Sequence, residues 1–201
     1  MTRIMGTATR SNVGALPKNI QLASGYDTGT PDIQWTPLEW AKFPGMPHIH
    51  IDQGFGDTRA IEAHVTVFDV ELQAFQPDQA EALIDANASV RPTIYVNRGN
   101  LIATIASALR SSHWKGDIWL AYPGWKIGVP LPPIPATCRY VAIQDTFAAT
   151  YQLSTVLDNS WPGPLPAPDE PPDWRDKALV YANTIANQAT VLHSLIAANT
   201  P

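Results

Sequence analysis

The chain has 201 residues, enough for one domain of ordinary size with appendages, and its 45% hydrophobic content allows a buried core. Only 15% of residues are charged and 19 are proline, which points to a compact body with stiff extended segments and some surface covered by partners. The net charge of -5 excludes a general nucleic-acid binder, which needs clustered Lys and Arg against phosphates. A lone cysteine, Cys138, excludes an internal disulfide and reads as a buried apolar residue.

Residues 1–19 read as a polar N-terminal arm. It carries Arg3, Arg10 and Lys18, and no acid precedes Asp27. Such an arm is either a solvated tail or a strap that lies on a partner. It lacks the continuous apolar core of a secretory signal, and no apolar run in the chain approaches the roughly 18 residues that span a membrane. The expectation is no signal peptide and no membrane. The protein would belong to a phage particle or be released on lysis, and otherwise be cytoplasmic.

Residues 20–161 alternate apolar runs with polar or helix-like stretches. The runs are IQLASGYD, HIHIDQ, VTVFDVE, RPTIYVN, DIWLAYP, YVAIQDT and YQLSTVLD, rich in Val, Ile and Tyr as strands are. Three helices are expected between them: TPLEWAKF opened by Thr36 and Pro37, PDQAEALIDANAS opened by Pro77, and NLIATIASALRSS capped by Asn100. Strand, helix, strand repetition implies parallel strands with crossover helices.

Residues 162–172, PGPLPAPDEPP, read as a semi-rigid proline-rich linker. Residues 173–201 then read as one long helix. Trp174, Ala178, Tyr181, Ile185, Gln188, Leu192 and Leu195 follow alternating spacings of four and three. That is a coiled-coil stripe interrupted at Gln188, or an amphipathic helix folded back on the domain. The linker favours a homo-oligomer, or docking to a larger assembly through the arm and the helix.

Side chains alternate along a strand, so positions two apart share a face. Val67, Asp69 and Glu71 then oppose Phe68 and Val70. His48, His50 and Asp52 oppose Ile49 and Ile51, and Tyr95 and Asn97 oppose Ile94 and Val96. Ala142 and Gln144 oppose Val141 and Ile143, and Val156 and Asp158 oppose Leu157. The polar residue repeatedly ends its run, where a barrel binds ligands. Asp27, Asp52, Asp69, Glu71, Tyr95, Asn97, Gln144 and Asp158 are therefore expected to converge on one mouth.

Two carboxylates across a sugar bond suffice for glycoside hydrolysis, one as acid and one stabilising, attacking or activating water. Asp69 and Glu71 would stand side by side, where like charge raises at least one pKa. Trp119, Trp125 and Tyr122 offer aromatic faces for sugars, Trp119 foremost, or else belong to the core. HIHID also suggests a metal reading, with His48, His50 and Asp52 joined by Asp158 or His64. The alternative is a packed histidine pair.

The segments SGYDTGTPDIQW, VFDVE, RPTIYVN, DIWLAYPGW, YVAIQDT and VLDNSWPG, in that order, resemble glycoside hydrolase family 25, the lysozyme-type muramidases, and related barrels of actinobacteria and their phages. The resemblance implies an α/β fold, a reduced (β/α) TIM-type barrel of about seven strands followed by the linker and C-terminal helix. It makes Glu71 the general acid. Asp69 and Asp27 would orient or stabilise the sugar, Asp158 would be a further acid in the cleft, and Tyr95 and Gln144 would line the sugar site. Asn97, Trp119 and Asp52 complete the expected binding residues. The implied function is cleaving or binding bacterial cell-wall polysaccharide, without a cofactor because carboxylates and water suffice. The alternative is a non-catalytic virion protein, of tail or capsid, that reuses the barrel for structure or binding.

Overall fold

The computed structural model describes residues 2–27, 30, 32–53, 64–71, 74–86 and 92–163, with the Asp27 side chain outside that set. The chain divides into two units, 1–165 and 166–201. The second unit lies outside the described residues, and with it the predicted C-terminal helix and most of the linker.

Among the described residues eight strands close into a barrel in chain order. They are β1 (Arg3–Ala8), β2 (Leu22–Asp27), β3 (His48–Asp52), β4 (Val65–Val70), β5 (Pro92–Asn97), β6 (Asp117–Ala121), β7 (Arg139–Phe147) and β8 (Gln152–Val156). Strands β1 to β7 run parallel, and β8 runs antiparallel to both β7 and β1. The expected count of seven is corrected to eight, and the extra strand comes from the predicted arm. RIMGTA alternates weakly by composition, yet in the closed sheet it pairs with both β2 and β8. Arg3 owes its place to this. Its guanidinium donates to the carbonyls of Asp158 and Asn159, both at 3.0 Å, and of Trp161.

The direction of β8 follows from the length of its connection. Only residues 148–151 separate it from β7, and Ala148 N–H donates to the Tyr151 carbonyl across the turn at 2.9 Å. Four residues make a hairpin and cannot carry the chain back along a barrel, as a parallel crossover must.

Among the described residues helices are sparse: α1 (Pro37–Trp40), α2 (Ala80–Ala86) and α3 (Leu101–Ala108), with 3₁₀ turns at Arg10–Ala15 and Pro77–Gln79. Helix α1 survives at four residues because its start is doubly tied. Thr36 accepts from Leu38 N–H, and the Glu39 carboxylate accepts from Thr36 N–H at 2.9 Å. Asn100 caps α3 by position without a side-chain bond; instead its own N–H donates to Asn97 Oδ1 at 3.0 Å.

The core has an inside and two outer layers. Inside the barrel pack Met5, Leu22, Ile49, Ile51, Val65, Val67, Tyr95, Trp119, Val141, Ala142 and Val156. Trp161 joins this cluster fully buried and donates its indole N–H to Thr93 Oγ1 at 3.1 Å. Outside β4 to β7, helices α2 and α3 cover Phe68, Val70, Ile94, Val96, Ile118, Leu120 and Ile143, with Cys138 buried in the same layer. Outside β1 to β3, Ala8, Val13 and Ala23 pack under Trp35 and Trp40.

Gly25 makes room for that last layer. Trp35 donates its indole N–H to the Ala8 carbonyl at 2.8 Å and stacks near Trp40 and Phe43, which leaves its ring directly over Gly25. A Cβ at that position would fall within the ring's van der Waals envelope. Gly25→Ala is expected to destabilise the fold by about 1–3 kcal/mol through overpacking. Denaturant unfolding checks this, and an unchanged midpoint would mean that Trp35 moves freely.

Candidate functional site at the barrel mouth

The C-terminal ends of the parallel strands surround a small hollow with room for about one water molecule, lined by one residue from each strand: Thr7, Tyr26, Ile51, Asp69, Tyr95, Trp119, Gln144 and Gln152. Strict alternation in a closed barrel produces this ring, because every strand must send one side chain inward at each level. Gln152 contributes from the start of β8, since that strand runs the other way.

Asp69 is the chemical centre. It is only 6% exposed. Its Oδ2 accepts from Gln53 Nε2 at 2.9 Å, while its Oδ1 is buried with no hydrogen-bond partner. Burial pushes the carboxyl up to about 7, opposed by the Gln53 bond and reinforced by the Glu71 charge. Glu71, just past the end of β4, is half-buried. Burial raises its pKa above the ordinary value, and a hydrogen bond from Asn97 pulls it back down. The two acids thus keep protons to higher pH than free carboxylates do.

Around them the polar groups bond to one another. Tyr95 O–H donates to Gln144 Oε1, Gln144 Nε2 donates to Gln152 Oε1, and Tyr26 O–H reaches the same Gln152 oxygen at 3.4 Å. Burial raises the pKa of both tyrosines, and the two carboxylates raise them further, so both phenols stay protonated. Beneath them Trp119 meets Tyr95 edge to face at 5.1 Å and donates to Ser154 Oγ at 3.1 Å.

The mouth brings together Asp69, Glu71, Tyr95, Asn97, Gln144 and Trp119 of the expected residues. Trp119 is 1% exposed, so it forms the floor of the hollow and no open stacking platform. Asp27 ends β2 at this rim, but it follows inward Tyr26 and is in register with Asp52, so its backbone position has the outer parity and the expected place in the hollow is corrected.

Two expected members are elsewhere. Asp52 lies in register with Phe68 of the outer layer, opposite in the pleat to the inward Ile51. His48 and His50 share its parity. Both imidazoles pack on Trp40, at 4.6 and 5.0 Å, and burial followed by the His48 charge depresses His50 to about 4. HIHID alternates equally well either way round, and the isoleucines won the interior. Among the described residues no group of three or more His, Cys, Asp or Glu is placed to hold a metal.

Asp158 lies at the opposite end of the barrel because β8 is antiparallel. There its Oδ2 meets Arg139 Nη1 at 2.8 Å, and Arg139 Nε also meets the fully buried Asp117 at 2.6 Å. It is part of a closing ion cluster and no part of the mouth. Tyr122 carries the Arg98 guanidinium at 4.5 Å, and Trp125 packs in the outer layer.

Sequence reasoning missed Thr7, Tyr26, Gln53 and Gln152. Tyr26 was within reach, because SGYD alternates and placing Ala23 and Gly25 outward sends Tyr26 in.

The Asp69 shift has a testable sign. Its folded pKa lies above the ordinary 3.8, so its contribution to stability is favourable in acid and is lost as pH rises through about 7. Asp69→Asn is therefore expected to raise stability at pH 8, by on the order of 3 kcal/mol, and to change it little near pH 4. Thermal unfolding at both pH values checks this. An equal shift at both would contradict a buried, proton-holding carboxyl.

Comparison with family models, with curated proteins and with solved structures yields no match for this chain.

Proposed function

We propose that the barrel mouth is a carboxylate acid–base site that cleaves a glycosidic bond, with bacterial cell-wall polysaccharide as the substrate class. The supporting observation is Asp69. A carboxyl buried beside a second acid, with one oxygen unpartnered and facing a hollow, is costly to keep unless something binds there. In this reading half-buried Glu71, held by Asn97, protonates the leaving oxygen. Asp69 faces the sugar ring and, once ionised above about pH 7, stabilises the positive charge that develops on it. Gln144, Gln152 and the tyrosine oxygens of Tyr26 and Tyr95 orient the hydroxyls. The resemblance of the ordered motifs to lysozyme-type muramidases supports the choice of substrate, now without Asp52 and Asp158.

A second reading, binding without cleavage, is favoured by the size of the hollow. It has room for about one water molecule, far less than an ordinary ligand pocket. Incubating the purified chain with peptidoglycan and measuring new reducing ends separates the two. Release supports the hydrolase, while sedimentation with the polymer and no release supports the binding module. Neither result would remove cell-wall glycan from consideration as the ligand unless both were absent.

A further inference from the structure

We propose that residues 34–46, which carry α1, form a latch on the barrel wall that acid releases, with His50 beneath it as the trigger. His50 is 1% exposed, and neither of its ring nitrogens has a hydrogen-bond partner. The Trp40 indole N–H has none either, and its ring lies 5.0 Å from His50 and 4.6 Å from His48. Buried polar atoms rarely go unpaired, so α1 is held on β3 by ring packing where hydrogen bonds would be expected. A neutral imidazole tolerates that setting. An imidazolium there is a buried charge with two unmet donors, which costs far more.

Among the described residues no element around His50 gives it a countercharge. On its own strand His48 adds like charge, and Asp52 bonds to neither nitrogen. Strands β2 and β4 set Gly25 and Thr66 in register with it. Helix α1 carries Glu39, whose carboxylate turns back to Thr36 N–H and lies 3.4 Å from Arg10; Lys42, after the helix, is exposed. His64 accepts from His48 N–H through Nδ1 at 3.1 Å, a bond that its own protonation would break. Burial, then the His48 charge, depresses His50 to about 4. The latch is therefore fully held above the ordinary histidine value of 6.5 and loosens as pH falls from there towards 4. Glu39 acts later. Burial raises its pKa, but the Thr36 bonds and the Arg10 charge hold it below the ordinary 4.5, so the start of α1 stays tied at pH 5. Release reaches the mouth, because Trp35 packs 4.5 Å from Trp40 and donates its backbone N–H at 3.0 Å to the carbonyl of Tyr26, which lines the hollow.

The test is amide hydrogen exchange of the full chain, read residue by residue by nuclear magnetic resonance at pH 7.5 and 5.0 and corrected for intrinsic rates. The hydrogen-bonded amides of Trp35, Trp40, Ala41 and Phe43 are expected to open about 30-fold more often at pH 5.0, as follows from a ring pKa of about 4 when covered and 6.5 when open. Amides of β5 and β6 should keep their protection. In His50→Leu the change with pH should fall below about threefold, while His64→Gln should retain most of it. The pH comparison in the parent chain stands whether or not either variant folds. Equal opening at both pH values in the parent overturns the latch. Loss of protection in β5 and β6 in step with residues 34–46 also overturns it, since that is acid unfolding of the whole barrel. A pH dependence that survives in His50→Leu, or that disappears in His64→Gln, overturns His50 as the trigger.

Discussion

Glu71→Gln is expected to lower the rate of glycan cleavage by about 10²–10⁴-fold while changing affinity only a few-fold. Glutamine keeps the length and can still bond to Asn97, so the mouth keeps its shape. What it lacks is a proton that can be given up to the leaving oxygen. The half-buried setting of Glu71 keeps that proton in place to higher pH than a free carboxylate would. Cleavage by the parent chain should accordingly decline on the alkaline side as Glu71 ionises, and the residual activity of the variant should lose that limb. Reducing-end release measured across pH, parent beside variant, decides it. A loss below tenfold would move the acid role away from Glu71.

Deleting residues 1–9 is expected to destroy the fold. Strand β1 lies between β2 and β8, so its loss turns a closed barrel into a sheet with two bare edges. Met5 leaves the interior and Thr7 leaves the mouth, and Arg3 no longer gathers the carbonyls of Asp158, Asn159 and Trp161. Domains of this kind have about 5–15 kcal/mol of stability, and losing one strand of eight exceeds that margin. Far-ultraviolet circular dichroism during heating is the check. A truncated chain that melts cooperatively at the parent temperature would restore the view of residues 1–19 as a detachable arm.

Much of the barrel was legible in the order of residues. Runs such as VTVFDVE and RPTIYVN announce strands, and their alternation places Asp69, Tyr95 and Asn97 on the inner face as found. Thr36-Pro37, and NLIATIASALRSS after Asn100, announce helices that α1 and α3 occupy in shortened form. These features depend on interactions within a few residues, which the local sequence sets by itself.

Three features required the assembled chain. RIMGTA carries an arginine and too little hydrophobicity to declare itself; it becomes a strand because neighbours on both sides supply hydrogen bonds that water would otherwise provide. HIHID has two plausible faces, and the ring of Trp40, held at the end of α1 just before the strand, accepts the histidines on the outside. Asp158 follows a well-predicted strand whose direction depends on a four-residue turn, and reversal carries it to the far rim against Arg139. The sequence by itself determined which residues alternate and so which share a face. Which face is inside, and which end of the barrel a residue reaches, depended on closure of the whole sheet, because burial and strand direction belong to the assembled barrel and not to any one segment.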